Sequence, residues 1–156
     1  MNPDGVIVGN YRTSLIGTDL NRRWKTPNKM LHPTIFYTKH MIKIFARERV
    51  IDIVCDLHGH SRAKNVFMYG CNIKGQPEAT RIIPFILGKI SPFFSYDYSR
   101  FKMQQSKEST LRISLFKELR VPAVYTMEST FCGTNQGPYA NMHMTTENLC
   151  EMGKHL

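Results

Sequence analysis

Val50-Ile51-Asp52-Ile53-Val54-Cys55-Asp56-Leu57 is a β-branched, apolar run of strand length that ends at the polar cluster His58-Gly59-His60-Ser61. Apolar side chains recur at near-helical spacing over residues 33–49, so an amphipathic helix leads directly into this strand. A nearly continuous apolar strand is typical of a sheet that is covered on both faces. We therefore expect a buried strand over residues 50–57.

The remaining segments extend this pattern to an α/β domain. After the first strand, the sequence predicts two further strands, over Val66–Tyr69 and 121–128. It also predicts helices over 78–94 and 110–119, and a final helix that begins after an N-cap at Thr145. Pro84 should bend the helix that contains it, and residues 1–31 should be irregular. Strands that alternate with helices predict a mixed central sheet flanked by helices on both faces.

Length and composition favour one soluble domain that meets anionic partners. The chain has 156 residues, 42% of them hydrophobic, and a formal charge of +9. It contains no apolar stretch long enough for a membrane span, and its polar start lacks the apolar core of a signal peptide. The four cysteines form no C-x-x-C pair, which fits reduced thiols in the cytosol.

Polar groups stand at the ends of the two buried strands, where an α/β domain normally carries its reactive side chains. His58 follows one strand, and Glu128 ends the other. A histidine near a carboxylate suits a zinc site in which the carboxylate is a general base. The pair His58 and His60 could supply two ligands, but spacing alone favours a histidine-containing loop bonded to backbone groups.

A second candidate site lies in the segment Asp19-Leu20-Asn21-Arg22-Arg23. An amide beside a guanidinium can hold a terminal carboxylate, because arginine presents a planar fork of donors. A turn with a solvated basic run explains the same residues, and without other information it is the simpler interpretation.

Five motifs in this order resemble those of the zinc carboxypeptidases of the carboxypeptidase A superfamily. They are Asn2-Pro3-Asp4-Gly5, Gly9-Asn10-Tyr11-Arg12, Gly17-x-Asp19-Leu20-Asn21-Arg22, Asp56-Leu57-His58-Gly59-His60-Ser61 and Tyr125-Thr126-Met127-Glu128-Ser129-Thr130-Phe131. The variant His-Gly-His-Ser and the segment Lys107-Glu108-x-Thr110-x-Arg112 resemble the cytosolic carboxypeptidases, which remove glutamates from tubulin tails.

The resemblance implies a role for each matching residue. His58 would be a ligand of one zinc ion, Glu128 the general base, and Arg12 the group that polarises the scissile carbonyl. Asn21 and Arg22 would hold the free carboxylate of the substrate. These roles describe an exopeptidase.

Arg112 would select an acidic terminal side chain if one residue is allowed as an insertion near residue 120. The alternative places Arg112 on the exposed side of the predicted helix over residues 110–119, where it adds only to the general basic field. The sequence leaves these two interpretations of Arg112 open.

The chain departs from the family pattern in two respects. The His-x-x-Glu motif that supplies the other two zinc ligands is absent, because the family has it upstream of Asn2-Pro3-Asp4-Gly5. We therefore expect residues 1–156 to form a partial catalytic domain, with its N-terminal part missing, that is inactive alone and binds zinc weakly. Second, residues 104–109 contain no tyrosine to match the mobile active-site tyrosine of the digestive enzymes, and Tyr98 lies too early to align.

The resemblance implies a cytoplasmic zinc metallocarboxypeptidase, associated with microtubules, that deglutamylates acidic tails such as those of tubulin. One alternative is a catalytically inactive fragment that still binds acidic tails. Acylamino-acid hydrolases with the same zinc architecture are another, although Asn21 with Arg22 favours a peptidase. A nucleic-acid-binding protein ranks last, because no nucleic-acid motif is present and the basic residues are scattered. No nucleic-acid or membrane partner is expected.

Overall fold

A computed structural model describes residues 1–156, which form eight regular elements and two compact units. The elements are α1 (Pro3–Ile7), α2 (Pro33–Glu48), β1 (Val54–His60), β2 (Val66–Tyr69), α3 (Ile82–Ile90), α4 (Leu111–Leu119), β3 (Val124–Thr130) and α5 (Thr146–His155). Residues 1–52 and 103–121 form one unit, called here the clamp unit. Residues 53–102 and 122–156 form the other, the sheet unit. No helix is long and apolar enough to cross a bilayer.

The sheet is mixed, which confirms the predicted α/β class. Its strand order is β1-β3-β2, with β1 parallel and β2 antiparallel to the central strand β3. In the β1–β3 register Val54 lies opposite Val124, and His58 lies opposite Glu128. The central strand therefore carries the general base predicted from the sequence.

Both buried strands lie several residues later than the expected ranges 50–57 and 121–128, which were wrong at their ends. The Val54 amide donates to the carbonyl of Ala123 at 2.9 Å, and parallel pairing continues from there to His60 and Thr130. Val50 is 86% exposed and lies outside the sheet. Both strands continue through polar residues because their backbone groups pair, and a pattern of apolar residues does not reveal this continuation.

The two faces of the sheet differ in character because side chains alternate along each strand. On one face Met68 and Met127 face a core that includes Leu87 of α3 and Met152 of α5. His58 and Glu128 occupy positions of the opposite parity, so they share the other face. The alternation thus separates the packed core from the polar residues.

The expected helix over residues 78–94, bent at Pro84, is wrong. A short 3-10 helix, Pro77–Thr80, comes first, and α3 then begins at Ile82. Pro84 falls in the first turn of α3, where a proline costs no helical hydrogen bond and causes no bend. After α3 the chain turns, and Phe93 and Phe94 enter the core.

The other helix predictions hold with small changes. α2 and α4 match the expected helices to within one residue, and Thr145 caps α5 in a reciprocal capping box with Asn148. Residues 1–31 are less irregular than expected. They contain α1, and a 3-10 helix spans Leu20–Arg22. The Asn2 side chain caps α1 and Asp19 caps the 3-10 helix.

A buried ammonium group links α2 to α4 in the clamp unit. Lys39, 6% exposed, donates to the carbonyls of Trp24 and Lys25 at 2.6 and 3.0 Å and to the Glu118 carboxylate at 2.5 Å. Lys43 pairs with the other Glu118 oxygen at 2.7 Å. Burial alone would raise the pKa of Glu118, but the hydrogen bonds and charges of Lys39 and Lys43 hold it below its usual value.

Glu118→Gln should lower the free energy of unfolding at pH 7 by about 1–3 kcal/mol, because it removes the anionic partner of a buried charge. A carboxyl whose pKa is lowered by folding stabilises the fold above its unfolded pKa, and the stabilisation is lost as the pH falls through the folded pKa. The difference from the parent chain should therefore shrink below about pH 4. Urea unfolding across pH measures it. Glu48→Gln, at an exposed position of α2, is the matched control, and a difference that is the same at every pH would contradict the prediction.

Candidate active site

The candidate zinc ligand and the candidate general base lie on adjacent strands of the sheet unit. His58 and Glu128 are register partners, and both side chains are half-buried on the face opposite the core. Neighbouring strands lie about 4.8 Å apart, so the two side chains stand next to each other. The strands thus position an imidazole beside a carboxylate, as the sequence predicted.

A third residue, Asp56, joins this pair, although no sequence pattern predicted a role for it. Its Oδ2 lies 2.7 Å from Nε2 of His58, and both side chains are partly shielded from solvent. Asp56 precedes His58 by two residues on β1, so both side chains emerge on the same face. This spacing is the sequence signal that could have identified Asp56.

The contact with Asp56 bears on metal binding. Metal-binding histidines commonly donate their other ring N–H to a carboxylate, which fixes the tautomer and the ring orientation. With the Nε2 proton directed at Asp56, Nδ1 is the nitrogen whose lone pair suits a metal ion. His58 therefore fits the role of one zinc ligand. The structure contains no group of three or more His, Cys, Asp or Glu side chains arranged to hold a metal ion.

His60 does not share the environment of His58. Its Nδ1 accepts hydrogen bonds from the backbone amides of Arg62 and Ala63 at 3.0 and 3.2 Å. The simpler interpretation of the histidine pair, a ring bonded to backbone groups, is therefore correct for His60.

In the clamp unit, Asp19 organises three of the predicted site residues. Its Oδ2 lies 3.1 Å from Nε of Arg12 and 3.9 Å from a guanidinium nitrogen of Arg22. Its Oδ1 accepts from the backbone amide of Asn21 at 2.9 Å. No role was predicted for Asp19 from the sequence, although an aspartate two residues before Asn21 is a typical helix-capping signal.

The Asn2-Pro3-Asp4-Gly5 motif has a structural role beside Arg12. The Asn2 amide nitrogen donates to the carbonyl of Thr13 at 2.9 Å, while its oxygen accepts from Gly5 at 3.3 Å. A Cβ at Gly5 would lie 2.4 Å from the same Thr13 carbonyl, so only glycine fits there. The motif thus holds the backbone that carries Arg12.

Asn21 also contacts the start of α4, one residue before Arg112. The Asn21 side-chain oxygen accepts from the backbone amide of Leu111 at 3.0 Å, which fixes the orientation of its amide group. Arg112 follows Leu111 directly and is only 7% exposed. The interpretation of Arg112 as an exposed residue of the general basic field is therefore wrong.

Comparison with known proteins gives the family. Cytosolic carboxypeptidase 1 of Xenopus laevis is 46% identical over 98% of this chain, and cytosolic carboxypeptidase 2 of Xenopus tropicalis is 48% identical over 99%. The chain is homologous to a segment of the cytosolic carboxypeptidases. It spans 14% and 16%, respectively, of the length of these two relatives. No protein-family model matches it.

Solved structures support the fold. A metallo-carboxypeptidase from Burkholderia cenocepacia superposes with a TM-score of 0.82 at 21% identity, covering 99% of this chain and 40% of that one. A metallo-carboxypeptidase from Pseudomonas aeruginosa in complex with (2-guanidinoethylmercapto)succinic acid superposes with a TM-score of 0.81 at 24% identity, covering 99% of this chain and 41% of that one. The chain therefore has the fold of part of a metallo-carboxypeptidase domain.

Asp19→Asn should separate the ion pairs of Asp19 with Arg12 and Arg22 from its cap of the 3-10 helix. Asparagine is as good an N-cap as aspartate, but it cannot form the ion pair with Arg12. In a full-length enzyme that contains this segment, we expect a loss in kcat/KM of about three- to tenfold with little change in stability. Asp19→Ala should also lower the free energy of unfolding by about 1 kcal/mol, because the cap is lost. Steady-state kinetics and urea unfolding measure the two effects.

The control for both variants is Asp4→Asn, which removes a carboxylate from an exposed position of α1 in the same segment. Equal kinetics for Asp4→Asn and Asp19→Asn would show that the ion pair with Arg12 has no catalytic importance.

Proposed function

We propose that these residues belong to a zinc-dependent carboxypeptidase that removes C-terminal or side-chain-branched glutamates from acidic protein tails such as those of tubulin. The observation that carries the proposal is the register pairing of His58 with Glu128 on the polar face of the sheet, in a chain homologous to cytosolic carboxypeptidases. The names of these relatives support a cytosolic location, and we extend it to association with microtubules.

Each residue contributes a defined step. Zinc supplies Lewis-acid chemistry when it is bound, with His58 among its ligands. Glu128 accepts a proton from the water that attacks the scissile carbonyl and later delivers it to the leaving amine. The Arg12 guanidinium donates to the carbonyl oxygen as negative charge develops there. These roles need a carboxylate and a cation held in place, which strand β3 and Asp19 supply.

Recognition of a chain end rests on the clamp unit. The Asn21 NH2 group and the Arg22 guanidinium are suited to a terminal carboxylate, which restricts cleavage to the last residue. Arg112 is buried, so a carboxylate that pairs with it is desolvated and the interaction is strong. We assign Arg112 the side chain of a terminal glutamate or aspartate. The net charge of +9 would attract such a tail.

A second function, the binding of acidic tails without cleavage, is favoured by one observation. Asp19 organises Arg12, Asn21 and Arg22 within the clamp unit, and none of these contacts involves a metal ligand. Incubation of the 156-residue chain with zinc and a glutamate-ended peptide distinguishes the two functions. Chelator-sensitive release of glutamate would refute the binding-only function for this chain.

Glu128→Gln in the full-length enzyme tests the peptidase proposal. The amide preserves the shape of the carboxylate but cannot accept a proton, so turnover should fall by about a hundred- to ten-thousand-fold while zinc remains bound. Glutamate release and metal analysis give the two readouts. Glu78→Gln, which changes an exposed glutamate of the sheet unit, is the control. Turnover of Glu128→Gln within a few-fold of the parent enzyme would refute the assigned role.

Arg112→Leu in the full-length enzyme tests the preference for acidic residues. Loss of a desolvated charge pair typically costs about 2–5 kcal/mol, so kcat/KM for a peptide ending in glutamate should fall by about 30-fold or more. Peptides ending in leucine should become relatively better substrates, and the change should persist at high salt. Arg47→Leu, at an exposed position of α2, is the control. An unchanged ratio of glutamate to leucine cleavage would eliminate the assignment.

A further inference from the structure

The connection from β1 to β2 passes across the end of β3. The strand order β1-β3-β2 places β3 between the two strands that this connection joins. β1 ends at His60 and β2 begins at Val66, so residues 61–65 make the whole crossing. Because β1 is parallel and β2 antiparallel to β3, the crossing lies where β3 ends, two residues after Glu128. The path of this short connection therefore bears on the position of the candidate general base.

The end of β3 and the chain that follows it hold this connection by hydrogen bonds. The hydroxyl of Thr130, the last residue of β3, donates to the carbonyl of Ala63 at 2.8 Å. The backbone amide of Asn65 donates to the carbonyl of Gly133 at 3.0 Å. The connection is thus bound to the chain that it crosses, close to the point where β2 begins.

Asn65 occupies the last position of the connection and is 1% exposed. Its φ of +63° is left-handed, a conformation that asparagine adopts more readily than most residues. Its Nδ2 donates to the side-chain oxygen of Asn135 at 2.6 Å, and its Oδ1 accepts from the backbone amide of Asn135 at 2.9 Å. A buried amide without partners is costly, so this reciprocal pair fixes Asn65 at the entry to β2.

The entry to β2 determines which side chain lies beside Glu128. Phe67, two residues beyond Asn65, is the register partner of Glu128 across β2 and β3. It is 2% exposed, and its ring lies 5.2 Å from that of His60 and 6.3 Å from that of Tyr98, between centroids. Cross-strand partners have Cβ atoms about 5 Å apart, so this buried ring limits the conformations of Glu128 from one side. A shift of one residue in β2 would turn Phe67 to the other face of the sheet.

We propose that Asn65 is a positioning residue for catalysis, because its pairing with Asn135 sets the register of β2 and so holds Phe67 against Glu128. The inference rests on the proposed function and adds to it a residue that acts through others. A displacement of about 1 Å in a catalytic group can cost up to about a hundredfold in rate. Loss of the pair should therefore lower turnover. It should spare recognition of the chain end, which we assign to the clamp unit.

Asn65→Gly in the full-length enzyme tests the proposal, because glycine adopts the left-handed backbone but has no side chain to form the pair. The matched control is Asn141→Gly, since Asn141 also has a left-handed φ, of +64°, and is exposed in the same unit. The measurements are kcat per bound zinc, KM for a peptide ending in glutamate, and zinc content.

In Asn65→Gly we expect kcat per bound zinc to fall by about tenfold, with KM and zinc content within about twofold of the parent enzyme. Asn141→Gly should match the parent in all three. A purely structural role would lower the urea midpoint of unfolding and leave kcat per bound zinc unchanged, and that result would overturn the proposal. Loss of zinc in Asn65→Gly would also overturn it, because the pair would then act through the metal site.

Asn135→Ala provides a second test that leaves the buried residue in place, since Asn135 itself is exposed. It should reproduce most of the loss in kcat. The double variant should be no slower than Asn65→Gly, because both changes remove the same interaction. Losses that multiply in the double variant would show independent effects and overturn the proposal.

Backbone hydrogen exchange in the 156-residue chain tests the placement of β2 without turnover. The amides that pair β2 with β3 should exchange faster in Asn65→Gly than in the parent chain, and at the parental rate in Asn141→Gly. Unchanged exchange in Asn65→Gly would overturn the proposal even if turnover falls. Failure of the parent full-length enzyme to release terminal glutamate would instead refute the proposed function, whatever the exchange rates show.

Discussion

The parallel pairing of β1 with β3 is the constraint on which the candidate site depends. One register places His58 opposite Glu128, and a shift of one residue would move one of the two side chains to the core face. The same alternation puts Asp56 beside His58 and places Met127 in the core. Packing of the core face therefore fixes the register, and the register determines which polar side chains lie together at the candidate site. Strand β2 adds Phe67 beside Glu128 on the same face.

In the clamp unit the loops are held in place differently, by side chains that form hydrogen bonds with backbone groups. Asn2 holds the Thr13 carbonyl, Asp19 caps the turn that carries Asn21, and Asn21 binds the first amide of α4. Short polar side chains of this kind fix loops that have little apolar surface of their own. The motifs Asn-Pro-Asp-Gly and Asp-Leu-Asn-Arg are thus positioning devices as well as candidate sites. Arg12 is an example, since its guanidinium is held by Asp19 rather than by packing.

The periodicity of apolar residues in the sequence predicted the α/β class and most helices. The order of the motifs predicted that His58 and Glu128 belong to one site. It misjudged where β1 and β3 end, because polar strand residues pair through their backbone and leave no apolar signal. It also misjudged Pro84, which is harmless in a first helical turn. Asp19 and Asp56 were missed as organisers, since each acts through a contact that only the folded chain reveals. The burial of Arg112 likewise depends on tertiary packing.

The central claim is that His58, oriented by Asp56, is a zinc ligand of a carboxypeptidase that contains this segment. Metal analysis of the purified full-length enzyme tests it most directly, with His58→Ala compared against His143→Ala, an exposed histidine of the same unit. The account predicts close to one zinc ion per molecule in the parent and in His143→Ala, and a loss of stoichiometric zinc in His58→Ala. Full zinc occupancy in His58→Ala would contradict it.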